Sequence, residues 1–240
     1  MDVSNDVYGV EFLGADKTKR VTLTVEDVRS AYERGRRNFR FCSLYDVDLR
    51  EVDLTGADFS YALLNKVSLN DANLSHAVFN NAHILGSQFE YATLKSGRFH
   101  GATIEEASFK AAALASAVFD SCDLAAVDFT EAVLNHASFE GARLDSVDFV
   151  GARLDSVVFR YSKVFGYFDS ANLSASRFMC VDLRDAVFNG ADCSYIEMKC
   201  CDLRGASFCN ADLSGGDFFD TDLGGVNLTN TTHDWNSHAL

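Results

Sequence analysis

Six histidines, seven cysteines and 35 carboxylates give this chain of 240 residues the groups for metal binding, thiol chemistry or acid–base work, if spacing brings them together. Asp48, Asp53, Asp123, Asp128, Asp202, Asp212 and Asp222 each stand just before a large apolar residue, a recurrence that invites an acid–base role. Cys180 and Cys200 invite zinc or redox chemistry. His76, His83, His100, His136, His233 and His238 are scattered. The chain has no phosphate-binding loop, no dinucleotide glycine motif and no nucleophile elbow. What these groups can do depends on the elements that position them.

Those elements repeat every fifth residue. The stretch GARLDSVDFVGARLDSVVFR, residues 141–160, nearly says the same thing twice. Large apolar residues run from Phe39, Leu44, Leu49, Leu54 and Phe59 to Phe159 and Val164. The frame slips by one residue in SKVFGYFDSANL, then resumes at Phe168 and runs to Leu228. The two runs hold 26 and 13 units. Two positions before each large residue sits a small or β-branched one, such as Ala57, Ala62 or Val67. Residues two apart in an extended segment point the same way, so each unit buries both and turns on its Asp, Asn, Ser or Gly residues. Four near-right-angle turns close a square coil of about 20 residues, and coils stack at about 4.8 Å. The Phe39 side then collects Phe59, Phe79, Phe99, Phe119, Phe139, Phe159, Phe178, Met198 and Phe218. The opposite side follows Leu49 and Leu69 with Phe89, Phe109, Phe129, Phe149, Phe168, Phe188 and Phe208. The two sides between, led by Leu44 and Leu54, carry aliphatic residues and Cys193. A period of 20 explains this pattern, and a period of 10 also fits it.

Stacked coils answer the chemical question. His76 and His136 would share a side but stand three coils apart, about 14 Å, too far for one metal. Cys42, Cys122 and Cys201 fall in the small inward slot, and Cys193 replaces a core leucine. Cys180 and Cys200 become outward neighbours on successive coils, without two further ligands to complete a zinc site. Cys200 and Cys201, being adjacent, point apart. The aspartates read as solvated or turn-bonding groups. No catalytic residue, cofactor or metal is expected, and the chain reads as a binding protein and not an enzyme.

The ends need caps, because an open solenoid exposes sheet edges. TVEDVRSAYERG reads as a helix with Thr24 as N-cap, Glu26 and Asp27 in its first turn, Val25, Val28 and Tyr32 on one face and Gly35 at its stop. VYGVEF and RVTLTV around LGADKTK read as a hairpin. The expected organisation is a hairpin and capping helix over 1–36, a β-helix over 37–230 with a frame slip near 165–166, and a polar tail over 231–240 with Trp235 lying over the last coil. No stretch approaches the ~18–20 apolar residues of a membrane span. The acidic N-terminus has no signal-peptide pattern, and seven unpaired cysteines suit a reducing compartment. A cytoplasmic protein is expected.

The A-D/N-L-x-x units resemble those of pentapeptide-repeat proteins over about 80% of the chain. The resemblance implies an all-β fold, a right-handed quadrilateral β-helix. VRSAYERGRRNF is similar to the helix that leads into the coil in cyanobacterial members of the HetL type. ADCSYIEMKCCDLRGASF and ADLSGGDF are similar to parts of the gyrase-protecting Qnr type. No long loop projects from the coil here, and the tail is shorter than the apolar one that quinolone-resistance members use to dimerise, so a monomer and an end-to-end dimer both stay open.

Charge then narrows the surface. Residues 1–38 are neutral, so the whole net charge of −14 lies on residues 39–240. Unit by unit, the Phe39 side sums to about zero, the Leu44 side to −4, the Leu49 side to −6 and the Leu54 side to −2. Two adjoining sides are therefore acidic, and Asp123, Asp128, Glu131, Asp145, Asp148, Asp169, Asp182 and Asp185 are the candidate partner-binding residues. Such a field repels nucleic acid and attracts cationic surfaces. An acidic rod looks like duplex DNA. The family resemblance implies binding or protection of a type II topoisomerase, DNA gyrase or topoisomerase IV, or alternatively a HetL-like regulatory protein–protein scaffold. Neither nucleic acid nor membrane is an expected partner.

Overall fold

In the computed structural model, residues 20–234 are described. They form β1 (Val21–Thr22), α1 (Val25–Glu33), β2 (Cys42–Tyr45), β3 (Leu63–Asn65), β4 (His83–Leu85), β5 (Thr103–Glu105), β6 (Asp123–Ala125), β7 (Arg143–Asp148), β8 (Val158–Arg160), β9 (Lys163–Tyr167), β10 (Arg177–Met179) and β11 (Glu197–Lys199). Every pairing is parallel, and short bridges such as Asp48↔Ser68, Asp53↔Asn73 and Asp58↔Val78 link successive coils on the other sides. Partners twenty residues apart recur on all four sides, which decides for a period of 20 over 10. The architecture is a quadrilateral parallel β-solenoid with one short helix.

The interior follows the two buried slots. Phenylalanines of the Phe39 side stack on one another at 4.6–5.3 Å between ring centroids, as do those of the Leu49 side. The two columns meet edge to face across the core, 5.8 Å apart at Phe99–Phe109 and 5.9 Å at Phe139–Phe149. Stacking along the rod and edge contacts across it are the two favoured aromatic geometries. Ala57, Ala77, Ala117 and their equivalents are buried beside them, leaving room for the rings.

The corners fall where the turns were expected, and their backbone conformation is a feature not read from the sequence. Except at the frame slip, the second residue after each large one adopts a left-handed backbone, including Tyr61 (φ 60), Asp71 (φ 60), Ala111 (φ 54) and His136 (φ 59). Its N–H donates to the next coil, as Glu51 N does to the Asn70 carbonyl at 3.0 Å. Most corners are also closed by a tight turn, such as Ala57 N to the Leu54 carbonyl at 3.0 Å. Left-handed geometry costs a non-glycine residue about 1 kcal/mol or more, and the ladder bond made at each coil offsets it.

The frame slip falls in β9. Its register against β7 runs Asp145↔Phe165 and then Val147↔Gly166, skipping Ser146. The corner residue is missing, so Ser162 to Phe168 alternate buried and exposed without a turn. Gly166 takes the small inward slot, where a Cβ would lie 2.8 Å from the Val147 carbonyl oxygen. The strands of three or more residues also change sides here: β2 to β7 and β9 are centred on the Leu44 side, whereas β8, β10 and β11 lie on the Phe39 side.

At the N-terminal end α1 covers the first coil. Thr24 and Asp27 form a reciprocal capping box, and Val28 and Ala31 are buried. Gly35 (φ 82) ends the helix, its N–H donating to the Tyr32 carbonyl and that of Arg36 to the Ala31 carbonyl. Val21 and Thr22 pair in parallel with Cys42 and Ser43, so the RVTLTV segment adds to the coil edge. The VYGVEF arm of the expected hairpin and Trp235 of the tail lie outside the described residues.

Candidate interaction surface

The aspartates before the large residues owe their position to the turn. Asp128 accepts from Thr130 N at 2.7 Å and Asp148 from Val150 N at 2.8 Å; Asp53, Asp192 and Asp212 do the same two residues on. These bonds fix one carboxylate oxygen against the backbone and leave the other facing water. A turn-bonding role for such aspartates is thus realised, and an acid–base role has no geometry behind it. Exposed His76 and His136 occupy corners, and among the described residues no three His, Cys, Asp or Glu side chains converge on one metal position. Cys42, Cys122, Cys193 and Cys201 are buried, and desolvation pushes their thiols up, to about 12 for Cys42 and Cys122 and about 11 for Cys201.

The eight carboxylates singled out from charge divide between two sides. Asp123, Asp145, Asp182 and Asp185 lie on the Leu44 side, around a depression of about 490 Å³ beside the slip that Phe165 also lines. Arg143, Lys163 and Arg184 share it. Asp182 is held by Arg184 through two bonds of 2.8 and 2.7 Å, which lower its carboxyl below the ordinary range. The same ladder continues up this side. Arg184 lies 3.6 Å from Asp202, Arg204 lies 2.6 Å from Asp202 and 3.5 Å from Asp222, and the Arg204 bond draws Asp202 down to about 2. Counting charge per side missed this interleaving. Each arginine bonds the aspartate two residues before it in its own unit, and stacking brings it within 3.6 Å of the aspartate one coil on.

The Leu49 side is different. Asp128, Glu131, Asp148 and Asp169 span three successive coils, and among the described residues none of them forms an ion pair. Asp128 and Asp148 are in-register bridge partners, about one coil rise apart. Two carboxylates at that spacing repel by about 1 kcal/mol in water, a cost the fold tolerates because both are solvated. Tyr167 follows Asp148 in the same column, 44% exposed, with Phe165 at 6.4 Å from it across the missing corner.

The described residues thus form a β-solenoid of stacked square coils with an acidic strip along one side. The chain belongs to the pentapeptide-repeat family: the model for pentapeptide repeats in eight copies matches residues 38–71, 72–111, 167–199 and 198–230, and that for the pentapeptide repeat region matches 92–167. Among curated proteins none matches. Among solved structures, HetL, a pentapeptide repeat protein involved in heterocyst differentiation regulation from the cyanobacterium Nostoc sp. strain PCC 7120, is 24% identical over 87% of this chain and 98% of its own, with a TM-score of 0.56. Trypsin-treated QnrB1, a plasmid-mediated fluoroquinolone resistance protein, is 16% identical over 82% and 91%, with a TM-score of 0.43. The likeness to HetL bears on the fold. Among the described residues no helix is long and apolar enough to cross a membrane.

Proposed function

We propose that this protein is a non-enzymatic, cytoplasmic docking rod whose acidic side receives a cationic protein surface, with the DNA-binding saddle of a type II topoisomerase as the target. The observation that carries this reading is the strip of Asp128, Glu131, Asp148 and Asp169, four carboxylates over three coils without a cation among them. Asp123, Asp145, Asp182 and Asp185 extend the surface around the edge, partly neutralised. A rigid rod with regularly spaced charge offers such a saddle what duplex DNA offers, at lower density. The repeats from Phe39 to Asn230 carry −13 over about nine coils, one charge per ~3 Å against one per ~1.7 Å in DNA. The test is competition. Purified protein should displace linear DNA from gyrase or topoisomerase IV, inhibit supercoiling or change its quinolone sensitivity, and do so less as salt rises. If micromolar protein at low salt leaves both enzymes unaffected, the topoisomerase reading fails.

The second reading is a regulatory scaffold of the HetL kind, favoured by one feature. α1 covers the N-terminal coil with Glu26, Arg29 and Glu33 along its length, giving the rod an end face distinct from its sides. Retention of a protein other than a topoisomerase from native-host extract, lost on mutating the end face and kept on mutating the strip, supports this reading over the first.

A further inference from the structure

Of the seven cysteines, Cys180 and Cys200 stand apart: both are exposed, and both occupy the same corner column. Arg177, Phe178 and Met179 of β10 pair in register with Glu197, Met198 and Lys199 of β11, so the next residues, Cys180 and Cys200, follow one above the other. Both have the left-handed corner backbone, φ 55 and 56, and so project alike. Lower in the same column Phe41 and Tyr61 show what this placement means for side chains: their rings stack at 4.9 Å, 7° from parallel. Two cysteines one coil apart therefore have Cα atoms about 4.8 Å apart, inside the ~4.4–6.8 Å span of disulfides. Their Cβ atoms need to approach by less than about 1 Å to reach bonding geometry.

We propose that Cys180 and Cys200 form a reversible disulfide that latches two successive coils near the C-terminal end of the rod. The oxidant is a low-molecular-weight disulfide of the glutathione type. The thiolate of one cysteine attacks it, forming a mixed disulfide and expelling one glutathione thiolate. The second cysteine's thiolate then attacks the protein-bound sulfur and expels the other. The two protons given up by the cysteines end on the two glutathione thiols. Excess reduced thiol drives the same two exchange steps backwards, so the latch opens again. Neighbours bear on its rate: burial, the Cys180 sulfur and the Asp220 carboxylate raise the Cys200 thiol, so exchange is faster at alkaline pH.

The latch lies one coil inside the least buried end of the solenoid. In the last coil Phe218, Leu223, Val226 and Leu228 are only partly covered, so opening starts there and propagates coil by coil. Closing a loop of about twenty residues across two coils hinders that step.

The test uses the full chain, incubated with oxidised glutathione, denatured and assayed. The expected result is a fall from seven titratable thiols to five, with peptide 178–184 linked to peptide 200–204 in a tryptic digest. Because the second peptide also contains Cys201, the digest is repeated on Cys201→Ala, whose alanine fits that inward slot; the link should persist there and vanish in Cys200→Ser. Amide exchange across residues 196–204 should slow by about tenfold on oxidation and recover with reduced glutathione. Seven thiols remaining, stable glutathione adducts without the internal link, or a link between chains would each overturn the proposal. A link that leaves exchange unchanged would overturn the latch.

Discussion

The Leu44 and Leu49 sides adjoin, and sequence counting makes both acidic, yet their carboxylates are in different states. On the Leu44 side acids alternate with arginines up the stack, and Asp182, Asp202 and Asp222 have guanidinium groups within 3.6 Å. On the Leu49 side four acids over three coils have none. The lesson is that net charge on a solenoid side does not measure charge available to a partner. Availability depends on what stands one coil above and below.

The comparison breaks completely if the core behind the Leu49 side is removed. Phe149 is fully buried, stacked on Phe129 at 5.2 Å and Phe168 at 4.9 Å. Phe149→Ala should cost about 3–5 kcal/mol by thermal or chemical denaturation, whereas Ser170→Ala at an exposed corner should cost little. Similar losses from the two would refute the inward and outward assignment. Next in size is the seam between the sides. Gly166→Ala places a Cβ against the Val147 carbonyl and should cost about 1–3 kcal/mol, with exchange rising first in β7 and β9. An unaffected stability would show that the seam yields more readily than a close contact of 2.8 Å implies.

Binding separates the sides without touching the core. Asp128→Lys, Glu131→Lys and Asp148→Lys together should weaken a cationic partner by about 100-fold or more, on the order of 3 kcal/mol. Asp123→Lys, Asp145→Lys and Asp185→Lys should weaken it by about tenfold or less, because those carboxylates, though in no ion pair of their own, share a depression with Arg143, Lys163 and Arg184. Equal losses, measured by titration at two salt concentrations, would mean that total charge and not unpaired charge drives docking.

Much of this was legible beforehand. The period of five, the aromatic columns and the inward slots follow from residue type, since only strictly alternating large and small residues fill so narrow a core. The capping helix announced itself through Thr24, Asp27 and Gly35. The left-handed corners did not, because Tyr61 and Ala111 carry no local preference for that backbone; the ladder to the next coil imposes it. The move of the strand-bearing side at the slip was hidden too. Val147 precedes it and Val181 follows it, but Val52 and Val157 sit at ordinary closed corners, so valine alone marks nothing. Half of the arginine ladder was open to view, since Asp182–Arg184 and Asp202–Arg204 pair within Asp-Leu-Arg units; the links Arg184–Asp202 and Arg204–Asp222 were not, because they exist only between coils.

The smallest expected effect is the most direct test of that ladder. Replacing Arg184 and Arg204 by alanine should leave the fold intact, because these exposed pairs each contribute less than about 1 kcal/mol. It should nevertheless turn the Leu44 side into a second unpaired strip, with Asp182, Asp202 and Asp222 released. Affinity for a cationic partner should then rise by several-fold and become more sensitive to salt. Acid titration reports the release independently. In the native protein the Arg204 bond holds Asp202 down at about 2, below the ~3.9 of an unfolded chain. A depressed carboxyl stabilises the fold above the unfolded value, and that contribution fades as pH falls toward about 2. In the double variant Asp202 should titrate near the ordinary carboxylate range, seen by carboxyl-carbon NMR, and the modest acid-sensitive part of stability should disappear. If Asp202 still titrates near 2 without either arginine, backbone bonding and not the ladder sets its charge, and the contrast between the two sides loses its electrostatic basis.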